Sequence, residues 1–169
     1  LKIKKVNGMI LDLGLSSMEL DQKDRGFSFQ NIGPLDMRFN NKNSQTASEL
    51  LNNISLIDLK KIVKIYGEEK NYSKIAQSIK KYVKNDKMKT TLDLKQAILA
   101  VIPIKKSNKT LARVFQSIRI AVNDELNILS KTLVNITNFL KKNGRVVIIS
   151  YHSLEDRIVK QFFLKHSKV

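Results

Sequence analysis

The chain has 169 residues and carries 31 Lys and Arg against 15 Asp and Glu, which gives a formal net charge of +16. This length suits one domain, or one domain that carries an insertion. With 42% hydrophobic residues, 2 prolines and 6 glycines, the chain can bury a core, which excludes global disorder and collagen-like classes. No apolar run approaches the roughly 18–20 residues of a membrane span. The absence of cysteine excludes disulfides, thiolate zinc sites and cysteine nucleophiles.

The positive charge is concentrated in the middle of the chain. Residues 39–110 hold 15 basic and 6 acidic side chains, whereas residues 1–38 hold 6 and 5. Such a basic segment favours contact with a nucleic acid over contact with a membrane. Because 25 of the basic residues are Lys, a compositional bias with solvated helix faces stays open as the alternative. We expect a cytoplasmic location, since no secretory signal pattern opens the sequence.

The first predicted element is a buried strand that ends in a polar residue. The run from Val6 is apolar up to Asp12 and then turns at Gly14. Ligands of open α/β sheets bind at the carboxyl ends of the strands, which makes Asp12 a candidate site residue. The stretch 16–43 has no clean period and predicts a long loop. Its Arg and Asp residues form either an internal brace or a wall of the substrate site.

Helical periodicity begins near residue 46. Three segments match the spacing of a capping box: residues 46–49, 55–58 and 90–93. Apolar residues recur at helical spacing behind them, and Pro103 is predicted to end this group of helices. No strand pattern occurs between about 46 and 110. The periodic stretch 118–140 predicts two consecutive helices, because about 30 residues is long for one uncapped helix.

A second buried strand is predicted at residues 145–150, after the turn at Asn143-Gly144. Ser153 is predicted to cap a final helix. This order of elements indicates the α/β class and part of a doubly wound sheet. We predict one domain formed by residues 1–43 and 111–169, with an all-helical insertion domain at 44–110. Two strands do not make a stable sheet alone, so further strands are expected.

The ends of the predicted strands carry hydroxyl, carboxyl and imidazole groups, and we expect the two ends to lie side by side and enclose one crevice. His152, after the second strand, is expected to be exposed to a ligand in that crevice. Ser16 and Ser17 follow the first strand, although a capped turn that pairs Ser16 with Glu19 explains them equally well. A Ser-His-Asp hydrolase is disfavoured because the nucleophile-elbow pattern is absent. No metal site is predicted, because His152 and His166 lie on different turns without suitably spaced carboxylates. A Gly-rich dinucleotide loop and a Walker loop are also absent.

Six further motifs stand in order along the sequence, at residues 12–21, 25–29, 33–38, 66–69, 115–126 and 144–160. Taken together, they resemble the RsmH/MraW family of bacterial methyltransferases, which modify the N4 atom of cytidine in small-subunit ribosomal RNA. The resemblance implies a partial Rossmann-like fold, dependent on S-adenosylmethionine, whose helical insertion binds 16S ribosomal RNA. It also implies that this chain is a fragment without the family's N-terminal Gly-rich part and C-terminal tail.

The resemblance also implies roles for individual residues. Asp12 and Glu19 would line the S-adenosylmethionine site, although Glu19 replaces the family's usual Gln. We expect the catalytic residues to be Ser16, Ser17 and His152. The hydroxyls of the two serines, with backbone carbonyls, would accept a hydrogen bond from the amine, and His152 would shape the base pocket together with Tyr151. The candidate substrate-binding residues are Asp36, Arg38, Arg119, Asn123, Tyr151 and Ser153. The segment 109–113 departs from the family pattern and is left out of the site. The alternative function is a truncated, non-catalytic RNA-binding remnant, and homodimer formation is left open.

Overall fold

The computed structural model describes residues 4–16, 22–40, 45–103, 105 and 107–166. Contacts divide the chain into two compact units, each with its own core. We call Leu1–Leu15 with Asp124–Val169 the sheet unit, and Ser16–Asn123 the helical unit. The elements, in chain order, are β1 (Val6–Asp12), a 3-10 turn (Lys23–Arg25), α1 (Ala47–Asn53), α2 (Leu56–Ile65), α3 (Tyr72–Lys84), α4 (Thr91–Leu99), α5 (Ser107–Asn123), α6 (Glu125–Phe139), β2 (Leu140–Ile149) and α7 (Ser153–His166).

In the sheet unit, β1 and β2 form a parallel pair. Asp12 lies opposite Ile149, so the carboxyl ends of both strands are neighbours. The register shifts between Val6 and Gly8, and on the partner strand Asn143 has a left-handed φ of 64°. Because side chains that follow parallel strands emerge at one edge of a sheet, this pairing brings the two predicted site segments together. The predicted adjacency of the strand ends is confirmed.

One face of this sheet is buried against α6 and α7. Strand side chains alternate between the two faces, and Leu11 and Ile148 therefore point to the core while Ile10 and Val147 are exposed. The helices present their apolar stripes to the same core. Its buried members are Leu129, Leu133, Ile136 and Val159. The periodic stretch predicted as two helices is α5 and α6, which are separated at Asp124 by a left-handed φ of 51°.

The helical unit is built on well-capped helices. The hydroxyls of Thr46 and Thr90 accept the backbone N–H of Glu49 and Asp93, so two of the three predicted capping boxes are formed. At the third, the hydroxyl of Ser55 accepts the N–H of Asp58. In the described part of residues 45–103 the elements are helices, and an isolated bridge joins Thr90 to Pro34. The core side chains include Leu51, Leu59, Val63, Ile75, Ile79, Leu94, Ile98, Leu111, Val114 and Ile118.

The helical unit extends beyond the segment 44–110 on both sides. The loop 22–40 belongs to it because Leu35 and Met37 are buried, and because the N–H of Leu35 donates to the carbonyl of Lys89 at 2.9 Å. α5 belongs to it because its apolar face is part of the same core. The two units are defined by contacts within the chain. The predicted domains, 1–43 with 111–169 and the insertion 44–110, stay a prediction.

Three predicted element ends differ from the structure. α4 ends at Leu99, before Pro103, and β2 includes the Asn143-Gly144 segment, which forms its irregular start. α7 begins at Ser153 itself, and His152 occupies the capping position. Among the helices of the described ranges, none is long and apolar enough to cross a membrane.

Candidate functional site

The carboxyl end of β1 carries an acidic side chain that binds a tyrosine beyond the end of β2. The Tyr151 hydroxyl donates a hydrogen bond of 2.9 Å to Oδ1 of Asp12. The strand pairing continues past Asp12, since the N–H of Leu13 donates to the carbonyl of Ile149 at 3.0 Å. The hydrogen bond to the Asp12 carboxylate, and then its negative charge, raise the pKa of Tyr151. Tyr151 is 66% exposed, so the pair faces solvent.

Gly14 makes the turn after β1 and lies against the ring of Tyr151. Its φ of +96° lies in the region that side-chain-bearing residues rarely adopt. A Cβ at this position would lie 3.1 Å from Cδ2 of Tyr151. The glycine therefore permits both the turn and the close approach of the aromatic ring, which helps to place the Tyr151 hydroxyl beside Asp12.

His152 forms the start of α7. Its Nδ1 accepts a long hydrogen bond of 3.4 Å from the N–H of Glu155, and its carbonyl accepts the N–H of Asp156 at 3.1 Å. Its Nε2 lies 3.3 Å from Oε1 of Glu155, a short contact whose direction does not meet hydrogen-bond geometry. The His152 side chain is only 12% exposed, so the imidazole packs into the helix start. The sequence had predicted a histidine exposed to a ligand.

Glu155 joins the start of α7 to the segment that follows β2. This carboxylate is 4% exposed, and its Oε2 accepts the backbone N–H of Tyr151 at 3.1 Å. A buried carboxylate that holds the backbone of Tyr151 restrains the ring that binds Asp12. Sequence reasoning missed Glu155, although its spacing of three residues from His152 was the available signal.

Glu125, His152 and Glu155 each bring one nitrogen or oxygen atom to within 4.8 Å of the others. One imidazole and two carboxylates are a donor set that divalent cations accept. However, Nδ1 of His152 accepts an N–H, which leaves the proton of a neutral imidazole on Nε2. In this tautomer Nε2 is a donor and not a metal ligand. We therefore assign no metal role to the three residues.

Four predicted substrate-binding residues belong to the helical unit. Arg38 binds Asp36 with both ends of its guanidinium, from Nε to Oδ1 at 2.6 Å and from Nη2 to Oδ2 at 2.9 Å. The Arg38 side chain thereby holds the pKa of Asp36 below its ordinary value. The pair is the internal Arg–Asp brace that the sequence analysis kept as an alternative, and a role in substrate binding stays a prediction.

Asn123, the last residue of α5, holds the loop 22–40 through two backbone bonds. Its Nδ2 donates to the carbonyl of Met37 at 2.7 Å, and its Oδ1 accepts the N–H of Phe39 at 2.8 Å. Met37 has a left-handed φ of 62°, an unfavourable conformation that these bonds help to maintain. Arg119 is half-buried, and its carbonyl also accepts from Nδ2 of Asn123 at 2.9 Å.

The remaining predicted site residues divide into two groups. Ser16 and Ser153 are exposed, the latter as the first residue of α7. Ser17 and Glu19 lie outside the described residues. Of the predicted set, the structure therefore brings Asp12 and Tyr151 together at the strand ends, with His152 next along the chain.

The amino-acid sequence is similar to known methyltransferases along its whole length. A sequence model of the MraW methylase family matches residues 1–169. Relatives named ribosomal RNA small subunit methyltransferase H include that of Halothermothrix orenii, 49% identical over 164 residues, which covers 95% of this chain and 53% of the relative. That of Hydrogenovibrio crunogenus is 45% identical over 168 residues, with 99% of this chain and 54% of the relative covered.

A third relative of the same name, from Francisella tularensis subsp. tularensis, is 49% identical over 160 residues, which covers 94% of this chain and 54% of the relative. The family is one of methyltransferases, whose fold uses S-adenosylmethionine as methyl donor. The chain belongs to the MraW methylase family, as the motifs had indicated. It spans about half the length of the curated relatives that it matches.

Proposed function

We propose that this chain is part of an enzyme that transfers a methyl group from S-adenosylmethionine to the N4 amine of a cytidine in 16S ribosomal RNA. The names of its relatives, which are small-subunit ribosomal RNA methyltransferases, support this substrate class. The structural observation that carries the proposal is the pairing of Asp12 with Tyr151 where two parallel strands end. Ligands of α/β sheets bind at this edge.

The residues at this edge fit the chemistry of the methyl donor. S-adenosylmethionine carries a positive sulfonium and an ammonium group, and a carboxylate stabilises both. Asp12 is exposed at the end of β1, where its carboxylate is accessible to such groups. Glu19 would add a second carboxylate. When bound, the donor supplies an electrophilic methyl group.

The chain's own residues would then prepare the amine. The lone pair of the N4 amine is delocalised into the ring, which makes the amine a poor nucleophile. A hydrogen-bond acceptor that holds the amine in line with the methyl group lowers this barrier through orientation and charge stabilisation. We assign the acceptor to Ser16, Ser17 or the backbone carbonyls near them, without a cysteine nucleophile.

Tyr151 and His152 would shape the pocket of the base. The exposed ring of Tyr151 offers a face on which an unpaired base can stack, and the target cytidine must leave any base pair to reach it. His152 and Glu155 would act as positioning residues, because Glu155 holds the backbone of Tyr151. Ser153 is proposed to contact the nucleotide. The four residues of the helical unit are proposed as pocket or RNA-backbone groups: Asp36, Arg38, Arg119 and Asn123.

The strong positive charge of residues 39–110 supports RNA as the partner, since lysines bind phosphates without regard to sequence. A ribosomal RNA substrate would place the enzyme in the cytoplasm. The alternative, a non-catalytic RNA-binding remnant, is not favoured, because the relatives named above are methyltransferases.

The test is the binding of S-adenosylmethionine by calorimetry, followed by methyl transfer to small ribosomal subunits. Both are measured for this chain alone and for a completed protein, in which the chain is joined to the parts of a relative that it does not span. We expect N4-methylcytidine as the product. Asp12→Asn should weaken donor binding about tenfold, because a charged acceptor is lost. Asp86→Asn, an exposed acid of the helical unit, is the matched control and should leave donor binding unchanged.

A methylated ring carbon in the product would contradict the N4 assignment. Retained RNA binding without any binding of the donor, even in the completed protein, would support the non-catalytic remnant instead.

A further inference from the structure

The motif at residues 66–69 has no part in the proposed methyl transfer, yet it packs tightly on α5. A Cβ on Gly67 would lie 2.7 Å from the carbonyl oxygen of Val63 and 3.0 Å from that of Arg113. Nε2 of Gln116 donates to the carbonyl of Tyr66 at 3.3 Å. The turn between α2 and α3 is thus fixed against the first half of α5.

Glu69 links this turn to α5 through a buried carboxylate. The residue is 4% exposed, and its Oε1 accepts the backbone N–H of Asn71 at 3.0 Å. Its Oε2 accepts the hydroxyl of Thr110 at 3.1 Å and lies 3.6 Å from Nη1 of Arg113. Both carboxylate oxygens are therefore occupied by groups of the protein. Glu69 orients the surrounding donors and is not accessible as a charge for a ligand.

A cavity of about 420 Å³, which we call the Glu69 cavity, lies beside this carboxylate. Its volume is in the range of sites that hold small ligands or parts of larger ones. Four cations line it against one carboxylate, and α3 and α5 begin at its edge, where helix N-termini add partial positive charge. The lining cations are Lys70, Lys105, Lys109 and Arg113.

Three of these cations are available to a ligand. Lys70, Lys105 and Lys109 are exposed, and within the described ranges no ion pair involves them. The Arg113 side chain is 49% exposed and is only loosely paired with Glu69. A neutral or cationic ligand would gain nothing from this excess of positive charge, whereas an anion would be stabilised by each of the four groups. Ammonium groups bind phosphate as point charges, and guanidinium groups bind it as a fork.

We propose that the Glu69 cavity binds a phosphodiester group of the RNA backbone. This inference rests on the proposed function in taking RNA as the substrate, and it locates one contact of that substrate in the helical unit. RNA is favoured over a free anion because the cavity opens among exposed lysines of the most basic segment, where successive phosphates of one strand find further cations. The segment 109–113, which the sequence analysis left out of the site, supplies two of the four cations.

The test compares two variants that lose the same charge. K105Q/K109Q removes two cations of the cavity, and K131Q/K160Q removes two exposed lysines of the sheet unit. Fluorescence anisotropy with a single-stranded RNA oligonucleotide is measured over a range of salt concentrations. We expect K105Q/K109Q to lose about tenfold in affinity and the slope of log affinity against log salt to fall by about 0.7 for each lost contact. The RNA affinity of the control K131Q/K160Q and its salt dependence should change far less.

Further measurements distinguish an RNA phosphate from a free phosphate, and this inference from the proposed methyl transfer. An oligonucleotide with a neutral methylphosphonate backbone should not distinguish the wild type from K105Q/K109Q. Equal losses of RNA affinity in K105Q/K109Q and K131Q/K160Q would overturn the inference, because they would show that RNA is attracted by the overall positive charge and not by the Glu69 cavity. Inorganic phosphate binding that is lost in K105Q/K109Q, with RNA affinity unchanged, would overturn the assignment to RNA. Failure to bind S-adenosylmethionine while the lysine-dependent RNA affinity persists would count against the proposed function alone.

Discussion

The hydroxyl of Tyr151 and the carboxylate of Asp12 meet at 2.9 Å although they are 139 positions apart in the chain. They meet because β1 and β2 are parallel and because Asp12 pairs with Ile149 at their carboxyl ends. Gly14 lets the ring approach the turn, and Glu155 holds the backbone of Tyr151. The bond is therefore a sensitive reporter of the geometry of the strand ends.

Tyr151 should titrate above its ordinary pKa of 10.0, because the hydrogen bond to Asp12 and its charge favour the neutral phenol. The bond is then intact below pH 10.0 and is lost as the pH rises through the raised pKa. Asp12→Asn should move the pKa of Tyr151 back toward 10.0. Ultraviolet difference titration measures the phenolate, and Tyr151→Phe identifies its signal among the 4 tyrosines. An identical midpoint in the wild type and in Asp12→Asn would contradict the pairing.

Asp36 should stabilise the fold in a pH-dependent way. Arg38 lowers the pKa of Asp36 from its ordinary value of 3.8, so the stabilisation is complete above pH 3.8 and is lost as the pH falls through the lowered pKa. Asp36→Asn should cost on the order of 1 kcal/mol at neutral pH. The free energy of unfolding, measured by urea at several pH values, tests this. Arg38→Gln removes the ion pair from the other side and should weaken the same pH dependence, although Oδ1 of Asp36 keeps the backbone N–H of residue 38 at 3.2 Å. At a pH below the pKa of Asp36 in both the folded and the unfolded protein, Asp36→Asn should no longer lower the free energy of unfolding. A loss that persists there would contradict an origin in the ion pair with Arg38.

Asn123 should contribute more to stability than an exposed asparagine does. Asn123→Ala removes its bonds to Met37 and Phe39, and we expect the free energy of unfolding to fall by about 1–3 kcal/mol. Asn135 also bonds to the backbone, but only to Lys131 of its own helix at 3.0 Å. Asn135→Ala is therefore the control and should change stability by less than about 0.5 kcal/mol. Equal effects of the two substitutions would show that Asn123 does not hold the loop.

Gly67 should not tolerate a methyl group. Gly67→Ala places Cβ 2.7 Å from a backbone oxygen, and overpacking of this kind costs about 1–3 kcal/mol. At Gly8 the nearest atom to an added Cβ is the carbonyl oxygen of Arg145 at 3.6 Å, an ordinary contact. Gly8→Ala should therefore be neutral within about 0.5 kcal/mol. Thermal unfolding of both variants measures the difference. A stable Gly67→Ala protein would mean that the turn does not lie this close to the carbonyl oxygens of Val63 and Arg113.

Local signals in the sequence predicted most of the elements. The spacing of polar residues predicted the capping boxes at Thr46 and Thr90. The periodicity of apolar residues predicted the two strands and the break between α5 and α6. The exact ends were harder to predict. His152 replaces Ser153 as the cap of α7 because its ring nitrogen accepts an N–H that the hydroxyl was expected to take.

Contacts between distant segments were the part that the sequence did not reveal. The two backbone bonds of Asn123 and the buried carboxylate of Glu69 depend on tertiary packing, and no spacing rule indicates them. The adjacency of Asp12 and Tyr151 was predictable, because parallel strands share one functional edge. The roles of these residues in catalysis and binding stay predictions.

The pairing of β1 with β2 also determines an order of events during synthesis. At about 5–20 residues per second, roughly ten seconds separate the emergence of the two partners from the ribosome. The helical unit, Ser16–Asn123, is continuous in the chain and is translated completely within that interval. β1 therefore lacks its partner β2 while the helical unit is made and is free to fold. During that interval the edge of β1 that later binds β2 is open to misassembly.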